Sequence, residues 1–85
     1  MGLKDTIEMM TSDDYKERFK GEYFQTKVRY DKLHNMLIKS EAKTLTFPLK
    51  CPIEKLEDQA YYMGNYLKCL EIRAEIEDID LKEEK

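Results

Sequence analysis

Seven apolar residues, Ile53, Leu56, Ala60, Met63, Leu67, Leu70 and Ala74, follow one another at steps of three, four, three, four, three and four. That alternation is the a/d register of helices packed side by side, and a strand's period of two does not produce it. Pro52 stands just ahead of the run, where a helix tolerates proline best, and Glu54 follows where an acid complements the positive end of the helix dipole. The spacing predicts a helix over about 52–79. Such a helix needs a partner, and the chain upstream must supply it.

A second run of the same kind lies there, with Phe19, Tyr23, Thr26, Tyr30, Leu33 and Leu37 at alternating steps of four and three. Thr11-Ser12-Asp13-Asp14 reads as its start, because a hydroxyl can cap the first free N–H groups and the aspartates favour the positive end of the dipole. This helix is predicted over about 13–42. Gly21 interrupts it at a cost of about 1 kcal/mol relative to alanine. The segment Lys43 to Cys51, with its β-branched threonines and Pro48, is the connection. The fold class expected is therefore all-α: an antiparallel two-helix hairpin spanning 12–81, fraying near Glu77 to Leu81, with 82–85 as a charged tail. For residues 1–11 two readings stand side by side. They form a loose extension, or a short N-terminal helix on which Leu3, Ile7 and Met10 share one face.

An 85-residue chain buries only about 60% of its unfolded surface, so its own core is marginal. Beside the main seam of helix two runs a second apolar stripe of Tyr62, Tyr66, Cys69, Ile72 and Ile76. One partner helix cannot cover both stripes. The hairpin is therefore expected to assemble into a homo-oligomeric helical bundle.

Charge narrows the partners. Residues 75–85 hold six acids and two lysines, a net of -4 against -3 for the whole chain, which leaves +1 on residues 1–74. A strongly basic face is missing, so duplex nucleic acid is not an expected partner. No run of about 18 apolar residues is present for a membrane span and no apolar segment for a secretory signal. Cys51 and Cys69 have neither zinc spacing nor a disulfide framework. A soluble protein of a reduced, cytosolic setting is expected, with no metal and no cofactor. Gly2 and Thr6 fit the N-myristoylation pattern, which is short and common by chance.

An enzyme is not expected either. The one histidine, His34, stands among Lys32, Asn35 and Met36 as a surface or interface residue, and no phosphate loop or nucleophile elbow is present. Catalytic residues are therefore none. What stands out is tyrosine, at 15, 23, 30, 61, 62 and 66, interleaved with Lys16, Arg18, Lys27, Arg29, Lys32 and Arg73. Aromatic rings stack on nucleobases for roughly 1–3 kcal/mol each, and arginine grips a phosphate with two parallel hydrogen bonds. Tyr23, Tyr30, Tyr62 and Tyr66 also suit an amphipathic seam with the hydroxyl at its rim. Tyr15 differs, because it falls in the first turn of helix one, where free N–H groups favour an anion.

The pattern Asp14-Tyr15-Lys16-Glu17-Arg18, Glu22 and Lys32-Leu33 in helix one, followed by Leu56-Glu57-Asp58-Gln59, Met63, Tyr66, Leu70 and Arg73 in helix two, resembles a family of small phage-encoded helical hairpins. That family includes the cyclic-nucleotide sponges of anti-CBASS and anti-Thoeris defence and related proteins of crAss-like phages. The resemblance covers about residues 13 to 76, with a longer loop at 43–51 than the best-known sponges have. It implies a hexameric homo-oligomer in the host cytoplasm that binds a cyclic di- or trinucleotide messenger and keeps it from its effector without cleaving it. By position it makes Tyr15 a stacking residue with Arg18 nearby and Arg29 or Lys32 a phosphate contact. Tyr66 joins the ligand-binding set, and Arg73 lines a second, separate pocket. The competing reading is a helical-hairpin inhibitor or adaptor, such as an anti-CRISPR or host-takeover factor, that docks on a host protein.

Overall fold

A computed structural model describes residues 2–82. They form a 3-10 turn at Leu3–Thr6, a short helix α1 at Ile7–Met10, and two long helices, α2 at Tyr15–Glu41 and α3 at Ile53–Glu77. No strand occurs among the described residues. The long helices run antiparallel as a hairpin, and α1 packs against α2. Of the charged tail at 82–85, residues 83–85 lie outside the described residues.

The seam of α3 is the one its spacing predicts. Leu67, Leu70 and Ala74 are buried, and Ile53, Leu56, Ala60 and Met63 are half-buried. On α2 the predicted seam likewise divides into buried Phe19, Tyr23 and Thr26 and half-buried Tyr30, Leu33 and Leu37. Burial deepens toward the end of the hairpin where the chain's two terminal segments meet. There Phe19, Tyr23, Phe24, Leu67, Leu70, Ala74 and Ile79 make one cluster, with Met9, Tyr30 and Leu81 packed against it.

Ile79 corrects the expectation of a fraying end. Helix α3 stops at Glu77, two residues before the predicted 79, because Asp78 adopts a left-handed conformation (φ 57°, ψ 47°). The Ile79 N–H then donates to the Ala74 carbonyl at 2.8 Å, a six-to-one closure of the last turn. That closure turns Ile79 back into the core, where only 6% of its surface stays exposed. At the far end of the hairpin Lys43 takes the same left-handed role (φ 63°), with Thr44 N–H donating to Lys39 O at 2.8 Å.

The start of α2 also differs in detail. Its N-cap is Asp14, whose carboxylate accepts the Lys16 N–H at 3.1 Å, while Ser12 Oγ accepts the Asp14 N–H one step earlier. The helix therefore begins at Tyr15 rather than 13 and ends at Glu41 rather than 42. Pro52 is the N-cap of α3 rather than part of its first turn.

The N-terminal segment is helical and docked, and of Leu3, Ile7 and Met10 only half-buried Met10 lies on the docked side, beside Met9. Leu3 and Ile7 are exposed, whereas Thr6 is fully buried, its hydroxyl donating to Leu3 O at 2.7 Å. Gly21 makes the docking possible. A Cβ at Gly21 would stand 2.8 Å from both Cγ and the backbone nitrogen of Met10, so this close approach of α1 to α2 needs a bare α-carbon.

The second stripe of α3 is uncovered in the protomer. Tyr62, Tyr66, Ile72 and Ile76 are all exposed, Ile76 to 78%, and Cys69 is exposed between them. With about 100° between successive helical residues, these five and Arg73 share an arc of about 120° on the side of α3 away from the core seam.

Candidate functional site

An antiparallel hairpin sets the first turn of α2 beside the last turn of α3, and there the chemistry gathers. The Tyr15 hydroxyl donates to Glu77 Oε1 at 2.7 Å and accepts from Arg73 Nη2 at 2.8 Å. Arg73 Nε donates to Glu77 Oε2 at 3.2 Å, closing a triangle of tyrosine, arginine and carboxylate. One helical turn along α2, the Phe19 ring lies 6.2 Å from that of Tyr15, and the Arg73 guanidinium stands 5.1 Å above it. Lys16 Nζ donates to the Asp78 carbonyl at 3.3 Å.

The triangle is exposed. The Arg73 side chain keeps 52% of its accessible surface and Glu77 keeps 33%. Exposed ion pairs contribute about 0–1 kcal/mol, so stability is a weak reason for this arrangement. Its effect is to hold an aromatic ring and a guanidinium side by side, facing solvent. The hydrogen bond to Glu77, more than any other cause, holds the Tyr15 hydroxyl above its ordinary value, with Arg73 opposing. Arg73 is held more firmly protonated, first by Tyr15 and then by Glu77.

Further along the seam the pattern of tyrosine against carboxylate repeats. Tyr66 OH donates to Glu22 Oε1 at 3.2 Å, an oxygen that Thr26 Oγ1 also reaches, and Tyr23 OH donates to Glu71 Oε2 at 2.7 Å. Burial is the main cause that raises both hydroxyls, with Glu22 and Glu71 adding to it, and Tyr23 is raised most. A tyrosine raised by folding adds stability that is fully present below its unfolded value of 10.0 and is lost as pH climbs through the folded value. The melting temperature is therefore expected to fall steadily above about pH 10 in calorimetric scans, and Tyr23→Phe to flatten that fall. An unchanged alkaline slope in the variant would contradict this assignment.

The six residues singled out from sequence separate into groups. Tyr15 and Arg73 are in direct contact, so in the protomer Arg73 is part of the Tyr15 cluster. Tyr66 lies on the same arc of α3 nearly two turns away. Arg18 is exposed and donates from Nη1 to Ser12 O at 2.8 Å, bracing the turn before α2. Arg29 and Lys32 are exposed, 14 and 17 residues beyond Tyr15, which is about 21 and 26 Å along the helix axis. A single chain does not bring either cation to the Tyr15 cluster. Sequence reasoning missed Glu77 and Glu71 and gave Glu22 no role beyond its place in the motif, because those roles follow only from which carboxylate the hairpin places opposite each tyrosine.

At the connection end, Tyr30, His34, Leu37, Ile53, Ala60 and Tyr61 help line an open groove of about 620 Å³ between α2 and α3. The His34 ring stacks on Tyr30 at 5.8 Å. No group of three or more metal-ligating side chains occurs among the described residues, and no described helix is long and apolar enough to cross a membrane.

Fold and site together define a small helical hairpin with an exposed apolar face and a preformed tyrosine and arginine cluster at one end. The chain belongs to the Sequestin family, whose model matches residues 13–76. The family name speaks of sequestration of a ligand. The match takes in Tyr15, Arg18, Arg29, Lys32, Tyr66 and Arg73 and stops one residue short of Glu77. No curated protein and no solved structure matches the chain significantly.

Proposed function

We propose that the protein is a phage anti-defence sponge that binds a cyclic oligonucleotide immune messenger of the CBASS type and holds it without cleaving it. The observation that carries the reading is the exposed cluster of Tyr15 and Arg73 at 2.8 Å, a base-stacking ring beside a phosphate-gripping guanidinium. The uncovered arc of α3 supports it, because Arg73 shares that arc with Tyr62, Tyr66, Ile72 and Ile76. Copies meeting along this face, up to the hexamer that the sponge resemblance implies, repeat the cluster by symmetry. A cyclic dinucleotide, with two flat bases and two phosphates, fits a pair of such clusters. Arg29 and Lys32, too distant within one chain, are in this reading cations contributed across the assembly.

The test is a panel of cyclic di- and trinucleotides followed by calorimetry and melting temperature, with solution mass recorded on the same sample. A bound messenger raises the melting temperature by linkage. Arg73→Ala is expected to weaken binding by roughly 10- to 150-fold, since a hydrogen bond to a charged group contributes about 1.5–3 kcal/mol. Tyr15→Ala should lose a similar amount. Neither variant should shift unliganded stability by more than about 1 kcal/mol, the scale of an exposed ion pair and cation–π contact, because both side chains are exposed. Absence of heat and thermal shift across the whole panel would remove the reading. The same apolar arc favours a second reading, a hairpin that docks on a host protein, and a fixed-stoichiometry complex of a monomeric protomer with one host protein would support that instead.

A further inference from the structure

The Tyr15 and Arg73 donors are not idle in the free protein. One internal carboxylate engages both, with Glu77 Oε1 2.7 Å from the Tyr15 oxygen and Glu77 Oε2 3.2 Å from both Arg73 Nε and Nη2. Resting on the sponge reading, we infer that Glu77 is a placeholder, occupying the position a ligand phosphate takes and leaving when that phosphate arrives. A phosphate carries oxygens enough to take over both contacts, one accepting from the Tyr15 hydroxyl and one from the arginine fork, as the two carboxylate oxygens of Glu77 do here. While Glu77 stays, its charge repels an incoming anion at ion-pair distance. Asp13, Asp14, Glu17 and Asp78 lie within a few residues in sequence of Tyr15 or Glu77, so nearby lysines do not leave the site open to any weak anion. A ligand must replace Glu77 on both donors at once to gain entry.

The place of Glu77 in the chain suits such a departure. It is the last residue of α3, and the left-handed Asp78 follows it. Its side chain keeps 33% of its surface and can swing to water without opening the core, because the anchors of the turn are Ile79 and its hydrogen bond to Ala74. Glu77 thus acts as a specificity residue. It excludes neutral and weakly bound ligands from a ring and guanidinium that would otherwise take any flat or anionic molecule.

The test titrates inorganic pyrophosphate against the wild type, Glu77→Gln and Glu75→Gln, following the Arg73 Nε–H signal by NMR. Glu75→Gln removes the same unit charge from α3 at an exposed position that makes no described contact with Tyr15 or Arg73. Glu77→Gln is expected to bind about tenfold tighter than the wild type, the scale of removing one like charge at contact distance, while Glu75→Gln stays within about twofold. Equal gains in both variants would reduce the effect to net charge and overturn the placeholder. Weaker binding by Glu77→Gln would overturn it as well, making Glu77 a support for the site. The messenger panel separates the two claims. A gain with pyrophosphate and no messenger binding sinks the sponge and leaves the placeholder, whereas messenger binding with no gain in Glu77→Gln does the reverse.

Discussion

Leu70→Ala is expected to lower stability by about 2–5 kcal/mol, the cost of removing a fully packed leucine and leaving a cavity. Leu70 is 3% exposed in the cluster that also contains Phe19, Tyr23 and Leu67, so the site has little freedom to collapse. Domains hold about 5–15 kcal/mol in total, and a chain this small belongs at the lower end. The variant should therefore be largely unfolded near body temperature, as a urea titration followed by helical circular dichroism would show. Ile76→Ala, at a position 78% exposed, provides the contrast and should move the midpoint by no more than about 0.5 kcal/mol at concentrations where the protomer is alone. Equal losses from the two substitutions would mean that the seam has been assigned to the wrong face of α3.

Gly21→Val is expected to release the N-terminal helix from the hairpin. The first added carbon would stand 2.8 Å from the Met10 backbone nitrogen and 2.9 Å from Met9 Cβ, and a helix backbone cannot give way as a flexible side-chain tip can. Overpacking of this kind costs about 1–3 kcal/mol, and the gain in helix propensity from glycine to β-branched valine, less than about 1 kcal/mol, does not offset it. A lower melting temperature, by roughly 4–8 °C for each kcal/mol, should come with lost amide protection over residues 5–11 while α2 and α3 stay helical. Gly21→Ala should show the same effect in weaker form. An alanine variant more stable than the wild type by the full gain of about 1 kcal/mol would refute the close approach.

The two predictions mark the boundary of what the sequence disclosed. The seam containing Leu70 was legible residue by residue, because a regular alternation of three and four needs no tertiary information to interpret. Gly21 was legible only as a cost to α2, since its use depends on a segment in which, of Leu3, Ile7 and Met10, only Met10 lies on the docked side. Leu3 and Ile7 read as the buried side, yet Thr6 lies inside because its hydroxyl is satisfied by Leu3 O within the same turn. Ile79 was read as a fraying end because the left-handed turn at Asp78 leaves no periodic trace. Within the site, Tyr15 was singled out by its position in the first turn of α2, and the antiparallel path of the hairpin then brings Arg73 to it. The placing of Glu77 between them was beyond reach, since several acids near the end of α3 compete for that role until side-chain geometry is known.

The uneven depth of the core sets an order on how the molecule comes into being. Its most buried residues join Phe19 to Ile79, with half-buried Met9 and Leu81 packed against them, so the tightest contacts close the longest loops, while the neighbourhood of the connection is held more loosely. During synthesis α2 waits half-wetted, with only Tyr15 and the Met9 segment beside Phe19, until residues as late as Ile79 have emerged to shut the far end like a clasp. A nascent chain paused at the connection would display that aromatic face to whatever chaperone stands nearest.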